Sequence, residues 1–117
     1  MSNTNNHINY IEFPLCDVSA TKAFYETCFG WVFQDWGPDY ISFSGAGVEG
    51  GFNGESKRPV AEPGVLVVLY SNDLGKVLAK VKEVGGVIKQ DIYEFPGGKR
   101  FHFEDPNGNE LAIWSDK

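Results

Sequence analysis

Asp17-Val18-Ser19-Ala20-Thr21-Lys22-Ala23-Phe24-Tyr25-Glu26-Thr27-Cys28-Phe29-Gly30 is the stretch on which the fold turns. Asp17 suits an N-cap, because its carboxylate can accept an amide proton that the first helical turn leaves without a partner. Gly30 suits a stop, because it enters the left-handed region at no steric cost. Between them Val18, Thr21, Phe24, Tyr25, Cys28 and Phe29 recur at three- and four-residue steps, so they share one face of a helix of about three turns.

A second copy of this pattern follows. Shifting the chain by 56 residues lays Asp73 on Asp17, Leu74 on Val18, Val81 on Tyr25 and Gly86 on Gly30. The second helix has Leu74, Val77, Leu78, Val81 and Val84 as its apolar positions and ends at Gly85-Gly86. Around each helix lie short runs rich in β-formers and bounded by turn residues: 7–15, 31–36, 40–44 and 50–53, then 65–70, 87–93, 100–104 and 110–114. In the later strands a shift of 60 fits better, setting Phe101 on Ile41 and Phe103 on Phe43. An internal repeat of element order and caps is an architecture signal in its own right. The expected fold class is α+β: two tandem βαβββ modules, about 7–54 and about 65–115, joined by a linker at about 55–64 within one domain spanning 1–117.

Composition narrows the function classes. A chain of 117 residues is one domain by size and can bury roughly two-thirds of its unfolded surface. Two cysteines, Cys16 and Cys28, are too few for a disulfide framework. No charged-then-apolar leader pattern precedes the first strand and no apolar run approaches the roughly 20 residues of a spanning helix, so the expectation is a cytoplasmic protein with reduced thiols and no membrane partner. A net charge of −6, with Lys57-Arg58 the only short basic pair in a loop, argues against nucleic acid. Aromatic residues make up 15%, enough to serve both core and pocket.

The tandem βαβββ order, Ala23-Phe24-Tyr25 and Phe29-Gly30-Trp31 in the first copy, and Asp105-Pro106-Asn107-Gly108-Asn109-Glu110-Leu111 in the second together resemble the vicinal oxygen chelate superfamily, the glyoxalase, bleomycin-resistance and extradiol dioxygenase group. The resemblance runs from about 8 to 114. It implies a curved eight-stranded mixed sheet with both helices on the convex side and a ligand groove on the concave side. Period two then sorts the strand residues. Ile11, Phe13, Ile41, Phe43, Val67, Leu69, Leu111 and Ile113 are expected under the helices. Tyr10, Glu12, Tyr40, Ser42, Leu66, Val68, Tyr70, His102, Glu110, Ala112 and Trp114 are expected along the groove.

Metal-dependent members of that superfamily hold their ion with His and Glu side chains on the concave face. Carried over by spacing from Asp17, Asp73 and Asp105, the ligand positions fall on Tyr10, Leu66, Ala112 and either Gly51 or Phe52. None supplies the nitrogen or carboxylate that a divalent ion needs. No cofactor is therefore expected, a divalent metal ion with displaced ligands being the alternative. Of the remaining donors, His7 is near the terminus and expected in solvent, and Glu110 sits at a turn edge and is expected exposed. His102 and Glu12 are the candidates for metal-free acid–base catalysis, Glu12 most of all if burial raises its pKa. Cys16 is expected to be a small buried thiol and Cys28 part of the core.

Two functions remain. One is a metal-free binding module whose groove, lined by Tyr10, Glu12, Tyr40, Ser42, Leu66, Tyr70, His102, Ala112 and Trp114, holds a small aromatic or cationic molecule by ring contact and cation–π attraction. Sequestration of an antibiotic or toxic metabolite is what the resemblance implies for such a module, and a homodimer is its implied assembly. The other is an enzyme, a metal-dependent lyase, isomerase or dioxygenase or an acid–base catalyst on Glu12 and His102.

Overall fold

Each cap does what its side chain predicts. In the computed structural model, which describes residues 3–55, 59–60 and 64–117, the Asp17 carboxylate accepts the Ala20 amide at 3.0 Å and opens α1, Val18–Phe29. Gly30 closes it at φ 71°, a left-handed backbone that donates back to Glu26. Asp73 accepts the Lys76 amide at 3.1 Å and opens α2, Leu74–Glu83, after which Gly85 turns the chain at φ 89°.

The eight expected strands are all present, as two four-stranded mixed sheets. The first module contributes β1 Tyr10–Pro14, β2 Val32–Asp35, β3 Tyr40–Ser44 and β4 Glu49–Asn53 in the order β1-β4-β3-β2. The second contributes β5 Val67–Tyr70, β6 Val87–Phe95, β7 Gly98–Glu104 and β8 Glu110–Ser115 in the order β5-β8-β7-β6. In both, the first strand pairs parallel with the last and every other pair is antiparallel. The identical order is the repeat read from the caps, now in hydrogen bonds.

Boundaries moved in places. The first strand starts at Tyr10 rather than at 7, because the His7 amide closes a turn onto Thr4. β6 runs to Phe95, two residues past the expected end, because its residues keep pairing with β7 as far as Phe95 with Gly98. The linker at about 55–64 and the Lys57-Arg58 pair lie largely outside the described residues.

One apolar cluster serves both modules. Phe13, Phe24, Tyr25, Trp31, Ile41, Phe43 and Phe52 meet Leu74, Val81, Phe101, Phe103, Leu111 and Ile113. The Phe24 ring, on α1, lies 5.7 Å from that of Phe103, on β7, so the first helix packs partly on the second module. Each such ring contributes on the order of 1.5–3 kcal/mol through burial. The expected inward set is inward: Ile11, Val67 and Leu69 pack against the cluster and the others belong to it.

A polar latch adds to this packing. Asn107, in the turn between β7 and β8, accepts the amides of Cys16 at 2.7 Å and Asp17 at 3.1 Å, while its side-chain amide donates to the Thr21 hydroxyl at 2.9 Å. Asn109 donates to the Pro14 carbonyl at 3.1 Å. The Asp-Pro-Asn-Gly-Asn turn of the second module thus satisfies backbone groups at the β1–α1 junction of the first, groups that burial would otherwise leave unpaired.

Candidate functional site

With the apolar residues committed to the helix side, alternation turns Tyr10, Glu12, Tyr40 and Ser42 to the opposite, open face of the first sheet. Tyr10, Tyr40 and Ser42 line a cavity of about 620 Å³ there, together with Gln34, Trp36 and Glu49. The Tyr10 and Tyr40 hydroxyls are 2.5 Å apart. Tyr40 donates to Oε1 of Glu12 at 3.1 Å and Asn53 donates to Oε2 at 3.1 Å, so Tyr10 must donate to Tyr40 if every proton is used once. Burial, then the hydrogen bonds to Tyr10 and Glu12, push the Tyr40 phenol well above the ordinary tyrosine range.

Gly51 makes this arrangement possible. It stands opposite both Glu12 and Ser42 in register, and a Cβ built on it would lie 2.5 Å from the Tyr40 hydroxyl and 2.7 Å from that of Tyr10. The two phenols occupy the space that a side chain would take.

Trp36 is a site residue that the sequence reading passed over. Its indole donates to the Ser42 hydroxyl at 2.8 Å and the side chain remains 62% exposed at the cavity wall. Its position two residues beyond Gln34, whose partner is Ser42, was the signal: period two places it on the open face.

The open face of the second sheet carries a different set. His102, only 8% exposed, has both ring nitrogens engaged, Nδ1 with Glu110 at 2.8 Å and Nε2 with the Tyr93 hydroxyl at 2.9 Å. Glu110 is therefore a partner of His102, held half-buried, and not a free turn carboxylate. Tyr70 and Trp114 meet edge to face with ring centres 5.2 Å apart. Ala112 is fully buried beneath the strands and offers the groove no surface. Leu66 precedes β5 instead of belonging to it, which removes it from the alternation that assigned it to the groove.

Glu12 and His102 sit on separate sheets. Glu12 bonds to Tyr40 and Asn53, and His102 to Tyr93 and Glu110. Of the two cysteines, Cys28 lies where expected, against the core, and Cys16 does not. Cys16 is exposed, its amide pinned to the Asn107 side chain and its thiol facing the Asn107 carbonyl at 3.9 Å; Cys28 is partly buried against the core, and burial pushes its thiol up to about 11.

The four positions that a metal would need do not fit one. Tyr10 is committed to Tyr40, Leu66 is a hydrocarbon, Gly51 has no side chain and Phe52 is fully buried core, and Ala112 is buried without a donor. Among the described residues no group of three or more His, Cys, Asp or Glu side chains is placed to hold an ion. A second cavity of about 600 Å³ lies between the modules, lined largely by Ile11, Phe13, Val67, Leu69, Val77 and Ile113. Tyr70 and Ser71 also line it.

Fold and repeat agree with sequence comparison. The sequence model of the Glyoxalase/Bleomycin resistance protein/Dioxygenase superfamily matches residues 7–113. The chain belongs to that superfamily. Solved structures carry the same fold. A glyoxalase-related enzyme from Fulvimarina pelagi superposes with a TM-score of 0.78 at 18% identity, over 94% of this chain and 88% of that one. A glyoxalase/bleomycin resistance protein/dioxygenase family enzyme from Burkholderia phytofirmans PsJN gives 0.78 at 16% identity, over 94% and 98%. Lactoylglutathione lyase from Agrobacterium tumefaciens gives 0.72 at 19% identity, over 96% and 95%. At such identities the likeness is one of fold. No protein of curated function matches the chain. No helix among the described residues is long and apolar enough to cross a membrane.

Proposed function

We propose that this superfamily member binds a small aromatic or cationic molecule, without a metal, in the cavity on the open face of its first sheet. The observation that carries this is the cavity's wall. Trp36 at 62% and Tyr10 at 45% exposure line it, together with the half-buried Tyr40 and the exposed Glu49. Monomeric proteins bury most of their large rings, so rings left open around a concave surface favour a ligand. A cation seated against them gains on the order of 0.5–1 kcal/mol per ring at such exposure. The net charge of −6 draws a cation to the surface. Sequestration of an antibiotic or toxic metabolite is a use of such binding, and the homodimer that the resemblance implies belongs to the same reading.

Benzyltrimethylammonium is a suitable probe, since it combines a ring with a fixed positive charge. Calorimetric and tryptophan-fluorescence titration should give saturable binding, weakened several-fold in Trp36→Ala. Absence of saturation, or equal affinity in the variant, removes the reading. Sedimentation velocity tests the dimer, and a monomer at all concentrations removes it.

A further inference from the structure

A group on the second sheet takes no part in that cavity. Arg100 stands opposite Tyr93 of β6 and Trp114 of β8 in the antiparallel register, so the three side chains share the open face. Its guanidinium carbon lies 5.5 Å from the Tyr93 ring centre and 5.7 Å from that of Phe95. The Phe95 and Trp114 rings are 6.4 Å apart. Stacking of this kind holds a guanidinium plane in a fixed orientation.

The group is also fixed from behind. A guanidinium can only donate, so Arg100 Nε–H gives its proton to the Tyr93 oxygen. Tyr93 O–H then donates to His102 Nε2, and His102 Nδ1–H to Glu110. One direction of donation satisfies all four residues with a neutral imidazole, a tautomer assigned here from the network. The relay uses only the inner nitrogen of Arg100. The outer two, Nη1 and Nη2, have no acceptor among the described residues, whose ion pairs are Lys22–Asp35, Lys89–Glu104 and His102–Glu110.

A half-buried arginine without an acid partner among the described residues is out of keeping with a chain that has 16 acidic and 10 basic residues. Its remaining fork has the spacing of a carboxylate's two oxygens, and aromatic rings flank it. We infer that Arg100 anchors a second binding site, on the second module, for the carboxylate of a small aromatic acid. Nη1 and Nη2 donate to the two oxygens, while Phe95 and Trp114 take up the ring. Tyr93, His102 and Glu110 act as positioning residues that aim the fork. The site is independent of the cavity at Trp36, so the failure of either leaves the other standing.

Titration of the full ¹⁵N-labelled chain with sodium benzoate tests this, followed by amide and Arg Nε shifts, with inorganic phosphate as the competing probe. Saturable shifts are expected around residues 93–95, 100 and 114, with none around Trp36. Arg100→Gln should weaken binding by about tenfold or more, the loss of a charge-assisted bidentate contact. Arg100→Lys, which keeps the charge and loses the fork, should weaken it by at least about threefold. The inference is overturned by any of three results: no saturable shifts at these residues in the wild-type chain, undiminished affinity in folded Arg100→Gln or Arg100→Lys, or phosphate displacing benzoate at equal concentration, which would make the site one for charge alone.

Discussion

The Tyr25 hydroxyl, on the buried face of α1, donates to Oδ2 of Asp105 in the turn after β7 at 2.8 Å, and both residues are buried. A side chain of the first module thus completes the shell of a carboxylate in the second. Oδ1 of Asp105 receives the amides of Asn107 and Asn109, each at 2.9 Å, and Oδ2 also receives the Asn109 side-chain amide at 3.2 Å. Burial pushes this carboxyl above the ordinary range, and the donors gathered on it pull the other way.

Removing one donor from that shell should loosen the modules together. Tyr25→Phe keeps the ring, stacked on Trp31 at 4.6 Å, and deletes only the hydroxyl, so the expected cost is about 1–3 kcal/mol for a buried acceptor left short. Asn107→Ala orphans the amides of Cys16 and Asp17 at the start of α1 and should cost a similar amount. Because both act through one turn, the double variant should cost less than the sum, by at least about 0.5 kcal/mol. Urea unfolding of the four proteins measures this, and strict additivity would mean that the turn is not a cooperative latch.

This latch also shows where sequence reading stops. The caps at Asp17 and Asp73, the repeat and the inward apolar set were legible because they rest on local backbone chemistry and on period two. Asp105 and Asn107 read only as a turn, although their side chains reach residues 80 and 86 positions away. Site residues divided in the same way. Tyr10, Tyr40 and Ser42 followed from alternation. Trp36 needed the β2–β3 register, and Arg100 needed its two cross-strand neighbours, neither of which a single sequence contains. Glu110 was misplaced because a turn-edge carboxylate looks solvated until the partner across the ladder is known.

Two adjacent glycines in β4 should respond very unequally to alanine. At Gly50 a Cβ would lie 2.1 Å from the Ile11 carbonyl oxygen and 2.5 Å from the Phe43 ring. Relief requires parting β1 from β4 or moving core, so Gly50→Ala should cost more than about 3 kcal/mol. At Gly51 the obstacles are the hydroxyl ends of Tyr10 and Tyr40, which can swing outward, so Gly51→Ala should cost under about 1.5 kcal/mol. It should part the phenol pair and return the Tyr40 phenol toward the ordinary tyrosine range, readable as an earlier ultraviolet titration step. Equal destabilisation by the two variants would show that the phenols are locked in place.

The thiols should react in two phases. Cys16 is exposed and Cys28 packs against the core with its thiol pushed up to about 11. With an aromatic disulfide reagent near neutral pH, Cys16 should react at once and Cys28 at a rate set by opening of the fold, because the thiolate is the nucleophile and access controls it. Cys28→Ala should remove only the slow phase, and Cys16→Ala only the fast one. A single fast phase of two equivalents would contradict the packing of α1.

Stability should fall as the solution becomes alkaline, and Tyr25 sets the sign. Burial above all, then the charge and hydrogen bond of Asp105, hold its phenol well above the ordinary tyrosine value. In the native state it therefore keeps a proton that the unfolded chain gives up near the ordinary value of about 10. Its contribution is complete below that value and is lost as pH rises toward the native value, since the native state then binds more protons than the unfolded one. One such group gives a slope of at most about 1.4 kcal/mol per pH unit. Tyr40 is shifted in the same direction and adds to the loss. Urea midpoints measured from about pH 9 to about pH 11 should decline in the wild-type chain and decline less in Tyr25→Phe. The variant should thus be the less stable protein near neutrality, with the gap narrowing as pH rises. Parallel declines in the two proteins would show that the Tyr25 phenol ionises as readily in the fold as out of it, and so that the contact with Asp105 does not hold its proton.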